Sequence, residues 1–262
     1  MQIEYAKVSA LGDRQDNQDR AAVVVSEDAA LMLVFDGMGG HSDGAKAAET
    51  GLKVVQDLFM AAPQPIFDPQ GFLYMALSKA HDEVVTLGTD VAVDFRPRAT
   101  CAVCLVQEGG AFWAHIGDSR LYQFRKGDVL ARTEDHTVGQ LMLAQGGTGG
   151  SNQDAKGLEQ KLYMRLGGDT PPEPEFGATE ASCGDVFLIC SDGFWATVRP
   201  DEVVDALNDR PLDAGGVDRL MSLARGRAGK DGDNISFALA RWSLEPRARV
   251  QRFVSRLMSG IG

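Results

Sequence analysis

Short apolar runs alternate along the chain with longer amphipathic segments. Runs rich in β-branched and aliphatic residues predict strands, at residues 21–25, 31–35, 100–106, 111–116, 186–190 and 235–242. Apolar residues at helical spacing predict helices, at residues 45–59, 71–87, 137–144, 200–207 and 217–228. Regular β-α-β alternation is missing. The pattern therefore predicts an α+β fold, in which antiparallel sheets carry helices on their faces.

Three segments without this periodicity suggest the domain organisation. Two proline-rich stretches, at residues 61–70 and 170–175, are expected to connect elements within one domain. Residues 145–157 contain five glycines and a single alanine as their only apolar side chain, so we expect a surface loop that either gates a site or is idle. We predict one domain over residues 1–245, followed at 246–262 by a basic amphipathic C-terminal helix or tail. Docking of this segment onto the acidic body is favoured over a membrane-surface or partner-binding role.

Composition narrows the classes of function. Apolar residues make up 44% of the 262 residues and charged residues 24%, which are ordinary values for a globular protein. The net charge of −11 repels phosphate backbones, so no nucleic-acid partner is expected, whereas an acidic pocket that collects cations fits. The N-terminus has no apolar signal region, and the longest apolar run, residues 29–35, is far shorter than the ~20 residues of a membrane helix. We expect a cytoplasmic protein without a membrane span.

Four aspartates share one local pattern, in which each stands beside a glycine or asparagine near the end or start of an apolar run. They are Asp36, Asp118, Asp192 and Asp233. A neighbouring glycine permits tight turns and close backbone approach, which allows carbonyl oxygens to join carboxylates as ligands. Oxygen-only ligand sets suit hard cations such as magnesium or manganese. A single Asp-Gly is usually just a turn, but four of them favour a metal site.

Seven motifs in order resemble those of the type 2C metal-dependent protein serine/threonine phosphatases. They are GDRQDNQD at residues 12–19, VFDGMGGH at 34–41, GDSR at 117–120, DHT at 135–137, LG at 166–167, SDG at 191–193 and DNIS at 233–236. The resemblance spans about residues 7–242. It implies a compact bacterial-type catalytic domain built from two packed antiparallel sheets with helices on both faces, a four-layer α/β/β/α sandwich. It also implies an enzyme that acts in signalling.

The resemblance assigns roles to the metal ligands. Asp36 would bridge two metals, the carbonyl of Gly37 would complete the second metal, and Asp192 and Asp233 would hold the first. A hydroxide between the two cations would attack phosphorus in line without a phosphoenzyme. The guanidinium of Arg14 would bind two phosphate oxygens at once, which a lysine could not copy.

Further roles lie around this centre. By the same resemblance His41 would protonate the leaving alkoxide, and Asp19 and Asn234 would orient metal-bound water or ligating carboxylates. A third, weaker metal would be shared between Asp118 and Asp192. The cofactors expected are therefore Mn²⁺ or Mg²⁺, two in the core site and a third nearby. Gln18 stands where many relatives have glutamate, which makes affinity at the second metal less certain.

The resemblance also implies phosphorylated protein substrates, those of a cognate serine/threonine kinase, and we expect a monomer. A nucleotide-binding fold is disfavoured because the third glycine of its fingerprint falls at Ser42. A cysteine-based phosphatase is excluded, since no arginine lies six residues after any cysteine. A catalytically silent relative that acts as a binding module is the remaining alternative, and the presence of Asp36, Asp192, Asp233 and Arg14 argues against it.

Overall fold

The computed structural model describes residues 2–38, 42–146, 160–207, 212, 214–230 and 232–243. Its strands are β1 (Gln2–Ala10), β2 (Asp19–Val25), β3 (Ala29–Met38), β4 (Arg98–Gln107), β5 (Gly110–Ile116), β6 (Arg120–Arg125), β7 (Asp128–Arg132), β8 (Glu175–Thr179), β9 (Val186–Cys190) and β10 (Ile235–Ser243). Its helices are α1 (Ser42–Ala61), α2 (Pro69–Leu87), α3 (Val138–Ala144), α4 (Asp192–Trp195), α5 (Pro200–Leu207) and α6 (Ala214–Ala228), with a 3₁₀ turn at Val93–Phe95.

The strands form two five-stranded sheets. Sheet I has the order β1-β10-β9-β6-β7, and sheet II has the order β2-β3-β4-β5-β8. Every pairing is antiparallel. Sheet I therefore combines strands from both ends of the chain, because β1 lies directly against β10.

Three apolar layers hold the fold together. In β3 the side chains alternate, so that Leu31, Leu33 and Phe35 pack with α1 and α2, whereas Met32 and Val34 pack between the sheets. On the other side α4, α5 and α6 cover sheet I, for example through Phe194 and Leu220. The layers run helix, sheet, sheet, helix, which confirms the predicted four-layer α+β sandwich.

All six strands and five helices predicted from periodicity are present, with ends that differ by a few residues. Cys101 faces the helices and Cys104 faces the other sheet, as strand geometry requires for residues three apart. Strands β1, β6, β7 and β8 were not predicted. Among the helices described, none combines the length and the apolarity that a membrane span requires. His41, residues 147–157 of the glycine-rich segment and the predicted helix at 246–262 lie outside the described residues.

Candidate metal centre

The four aspartates singled out in the sequence meet in one cavity. Asp36 lies near the end of β3, Asp118 follows β5, Asp192 opens α4 and Asp233 precedes β10. The cavity encloses about 680 Å³, and its lining includes Arg14, Gln18, Asp36, Gly37, Asp118, Asp192, Asp233 and Asn234. Strand pairing explains the convergence, because β9 and β10 are neighbours in sheet I and the Ser191 amide donates to the Ser236 carbonyl over 2.9 Å.

Burial is the largest cause of the raised pKa values in this cavity, and repulsion among the carboxylates adds to it. Burial raises the pKa of Asp36 well above its usual range, and the charges of Asp19, Asp192, Asp118 and Asp233 raise it further. Burial, together with the charge of Asp233, also raises the pKa of Asp192. These carboxylates can all ionise at neutral pH only if positive charge lies among them. An oxygen-only donor set of this density fits hard divalent cations.

Asp118 belongs to the same electrostatic cluster. Burial and the charges of Asp192 and Asp135 raise the pKa of Asp118 to about 7, and Arg120 opposes the shift. Asp118 and Asp192 therefore repel each other, and a cation between these two carboxylates would relieve the repulsion.

Gly37 occupies a position where no side chain fits. A Cβ atom there would lie 2.0 Å from the carbonyl oxygen of Gly44 and 2.8 Å from that of Gln18. The Gly37 amide donates to the Gln18 carbonyl over 3.1 Å. The backbone at the end of β3 is thus packed against its neighbours at the cavity wall, where a main-chain oxygen can serve as a ligand.

Asp19 lies beneath the cavity. It is paired with Asp36 across β2 and β3, and it is only 2% exposed. Its Oδ2 accepts a hydrogen bond of 2.7 Å from the hydroxyl of Ser191, the residue before Asp192. Burial raises the pKa of Asp19 to about 7, although the Ser191 hydroxyl counteracts the shift. Asp19 therefore contacts the residue that precedes Asp192 in the chain.

Asn234 ties the N-terminal loop to β10. Its Nδ2 donates to the carbonyls of Leu11, over 2.7 Å, and Asp16, over 3.1 Å. Its Oδ1 accepts from the amide of Gln18 over 2.8 Å. The loop of residues 11–18, which carries Arg14, is fixed in this way at the cavity.

Arg14 lies at the mouth of the cavity and is half exposed. Its Nη2 donates to Oδ2 of Asp233 over 2.9 Å. Within the described part of the chain this is the one hydrogen bond of the Arg14 side chain, so other donors of the guanidinium fork remain for an anionic ligand. The sequence indicated the arginine, but the contact that anchors it to Asp233 was not predicted.

Three residues to which the sequence assigned no role support Asp118. The indole Nε1 of Trp195 donates to the Asp118 carbonyl over 2.8 Å, and the Arg120 guanidinium lies 3.5 Å from the centre of the Trp195 ring. Arg120 also makes two hydrogen bonds, of 2.8 and 2.7 Å, to the Asp135 carboxylate. Arg120 belongs to the GDSR motif and Asp135 to the DHT motif, but sequence alone did not reveal that the two side chains are in contact.

Comparison with known proteins places these features in a family. Residues 8–222 match the sequence profile described as Protein phosphatase 2C. The serine/threonine protein phosphatase PstP of Mycobacterium tuberculosis is 30% identical over 246 residues, which cover 91% of this chain and 45% of that protein. The chain thus spans less than half the length of this relative. The protein phosphatase PhpP of Streptococcus pneumoniae is 28% identical over 245 residues, 90% of this chain and 96% of PhpP.

A solved structure agrees with the sequence comparisons. The catalytic domain of the serine/threonine protein phosphatase PstP, crystallised in complex with two manganese ions, superposes with a TM-score of 0.74 at 27% identity. The match covers 91% of this chain and 97% of that one. The two-sheet architecture is therefore shared over nearly the whole catalytic domain of that protein.

Proposed function

The chain belongs to the protein phosphatase 2C family of metal-dependent serine/threonine phosphatases, and from that premise we propose that it hydrolyses phosphoserine and phosphothreonine in proteins. The observation that carries the proposal is the meeting of Asp36, Asp192 and Asp233 with Arg14 in one cavity. Carboxylates supply sites for divalent cations, and the guanidinium supplies a site for a phosphoryl group. A silent binding module would have no need of both.

The ligand assignment follows from the resemblance and from the lining of the cavity. Asp36, Asp192 and Asp233 would hold the first Mn²⁺ or Mg²⁺ ion, and Asp36 and Gly37 the second. Asp118 and Asp192 would share a weaker third. Bound there, the cations would supply an acidified water for in-line attack on phosphorus and offset charge on the phosphoryl oxygens. Gln18 lines the same cavity and contributes no charge to the second site.

The chain's own residues would orient and protonate the substrate. Arg14, held by Asp233, would bind two phosphoryl oxygens, so that phosphorus faces the carboxylates. Asp19 would keep Asp192 in place through Ser191.

His41, which lies outside the described residues, would donate a proton to the leaving alkoxide. We expect His41→Ala to reduce hydrolysis of a phosphoserine peptide at least about tenfold more than that of p-nitrophenyl phosphate, whose leaving group needs no proton. Steady-state kinetics on both substrates measure the difference. Equal losses on both would remove His41 from the acid role.

The finer biological assignment is part of the proposal. The relatives PstP and PhpP are named as protein phosphatases, which supports phosphorylated proteins as the substrates of this chain. We propose that a cognate serine/threonine kinase phosphorylates these substrates in the cytoplasm. We further propose that the domain acts as a monomer. Light scattering of the purified protein tests the monomer, and a phosphoproteome of a deletion strain tests the substrates, which should gain phosphoserine and phosphothreonine.

The decisive experiment is Asp36→Asn. Because this carboxylate is proposed to touch two cations, its loss should lower Mn²⁺-dependent turnover of p-nitrophenyl phosphate at least about a hundredfold. The circular dichroism spectrum should stay unchanged, since the amide is isosteric. Asp128→Asn on the exposed strand β7 is the matched control and should keep full activity. Near wild-type turnover in Asp36→Asn would refute the two-metal proposal.

A further inference from the structure

Two histidines and a glutamate meet outside the aspartate cavity. His115 lies on β5 opposite Glu175, the first residue of β8, and His136 lies between β7 and α3. One candidate ligand atom from each residue lies within 4.8 Å of the other two. We propose that His115, His136 and Glu175 form a zinc-binding site that is separate from the catalytic metal centre.

The hydrogen bonds of His115 leave one ring nitrogen available. Its Nε2 lies 2.7 Å from the carbonyl oxygen of Glu134, which can only accept, so Nε2 carries the ring proton. Nδ1 therefore presents a lone pair, and within the described structure this buried atom has no hydrogen-bond partner. His115 is 1% exposed. A buried acceptor without a donor is costly, and a cation would satisfy it.

His136 uses one ring nitrogen in a hydrogen bond and has the other beside Glu175. Its Nδ1 accepts a 3.2 Å hydrogen bond from the Gly117 amide, which places the ring proton on Nε2. Nε2 in turn lies 3.7 Å from Oε2 of Glu175. When Nε2 ligates a metal as part of a neutral ring, the proton resides on Nδ1, so binding gives up the contact with Gly117. The Nδ1–H then faces the buried Gly117 N–H, so the ring must shift away from that amide, and the metal–imidazole bonds must outweigh the cost of leaving the amide without an acceptor.

Both rings are in the charge state that metal binding needs. Burial and the neighbouring His115 ring lower the pKa of His136 to about 4, and burial lowers the pKa of His115 against the opposing charges of Glu175 and Asp135. The ring centroids are 4.5 Å apart, so one proton on either ring disfavours a second. At neutral pH the pair is uncharged, and protons do not compete with a metal.

The donor set selects the metal. Two imidazoles and one carboxylate are a typical zinc set, whereas magnesium and manganese prefer oxygen alone, as in the aspartate cavity. Tetrahedral zinc places its ligand atoms about 3.3 Å apart, so the cluster must contract slightly. The Glu175 side chain is 52% exposed, which gives it freedom to move and leaves a fourth position open to water.

Zinc binding is measured directly, without reference to activity. The experiment uses the full chain with Asp36→Asn, because this substitution weakens metal binding in the aspartate cavity. The protein is stripped of metal and titrated with Zn²⁺ by calorimetry in excess Mg²⁺. We expect one zinc equivalent, whose affinity falls at least about tenfold when Glu175→Gln is added. Glu173→Gln, an exposed acid two residues away, is the matched control and should not change the affinity.

Nuclear magnetic resonance of the histidine rings gives a second readout that needs no substitution in the site. Zinc added in excess Mg²⁺ should shift the ring signals of His115 and His136. Unchanged zinc affinity in Glu175→Gln would overturn the proposal. Ring signals that do not respond to bound zinc would overturn it equally, and would make the two rings a buried packing pair.

Discussion

Asp118 is placed between negative and positive neighbours. Burial raises its pKa most, the charges of Asp192 and Asp135 raise it further, and Arg120 lowers it. The main-chain carbonyl of Asp118 accepts a hydrogen bond from the indole of Trp195, so the backbone at this position is held by a contact that does not involve the carboxylate. Asp118 can therefore be removed without loss of the framework around it, which makes it a clean probe of the third metal.

We expect Asp118→Ala to retain two tightly bound metals and to lose at least about tenfold of its turnover on phosphopeptides. A site with few protein ligands binds weakly, so the third ion is the one that the substitution removes. Native mass spectrometry counts the metals, and a phosphopeptide assay measures turnover. Asp128→Ala is the matched control on an exposed strand. Full peptide activity in Asp118→Ala would leave Asp118 as a turn residue only.

At the residue scale the sequence predicted which side chains line the cavity better than it predicted the contacts that hold them in place. Asp36, Asp192 and Asp233 carry a local signal, an acid beside glycine or asparagine at a strand end. The bond from Ser191 to Asp19 joins residues 172 positions apart and has no such signal. Likewise, His115 and Glu175 become neighbours only through the pairing of β5 with β8.

At the scale of elements, periodicity found most of the central strands and missed most of those at the sheet edges, together with the short central strand β6. β1, β7 and β8 are edge strands, where one side of the strand has no partner. β7 is almost wholly exposed, so its sequence lacks an apolar face. In β8, Gly177 has low strand propensity, but the Trp113 ring packs where its side chain would lie. Tertiary packing overrides the local signal at that position.

Sheet I is reinforced near the start of β9 by a buried carboxylate. Asp185 is fully buried and accepts two hydrogen bonds of 2.7 Å from Arg125, one of 2.8 Å from the Ser182 amide and one of 3.1 Å from Gln123. Burial alone would raise the pKa of Asp185, but the hydrogen bonds from Arg125, Ser182 and Gln123 lower it. The ionised form is therefore the one that stabilises the fold.

We predict that Asp185→Asn lowers the free energy of unfolding by about 2–3 kcal/mol, because it breaks charge-assisted hydrogen bonds in a buried setting. A depressed pKa stabilises the fold above the unfolded pKa, so the difference from wild type should shrink as pH falls below about 4. Urea denaturation at pH 7 and pH 3.5 measures both effects. Asp201→Asn is the control, because Asp201 and its partner Arg199 are both exposed, and it should leave the free energy of unfolding nearly unchanged. Equal effects of the two substitutions would contradict the prediction.

For the whole molecule, periodicity gave the class of fold, and the family resemblance gave the two-sheet arrangement. Strand order is a long-range property, since β1 and β10 pair from opposite ends of the chain. No local pattern specifies that pairing, yet it places Asn234 against the loop that carries Arg14. The cavity forms because the fold brings these segments together. The negative charge concentrated in the cavity destabilises the folded state.

This destabilisation predicts how the metal-free protein responds to pH. The folded-state pKa values of Asp19 and Asp118 are raised to about 7, and those of Asp36 and Asp192 are also raised. Folded protein therefore binds more protons than unfolded protein from about pH 4 to pH 7. The stabilisation is fully present below the unfolded pKa and is lost as pH rises through the folded pKa. With chelator, the melting temperature should fall by at least about 5 °C between pH 5 and pH 8.

Divalent cations should reverse this trend, because they bind the ionised carboxylates of the folded state and add the free energy of binding to that of folding. Differential scanning calorimetry from pH 5 to pH 8, with chelator and with saturating Mn²⁺, tests both parts. The Mn²⁺-induced rise in melting temperature should increase with pH, as protons cease to compete for the carboxylates. Asp36→Asn should raise the melting temperature of the metal-free protein at pH 8, since it removes one of the repelling charges. A metal-free protein that is equally stable at pH 5 and pH 8 would show that the aspartate cluster does not oppose folding.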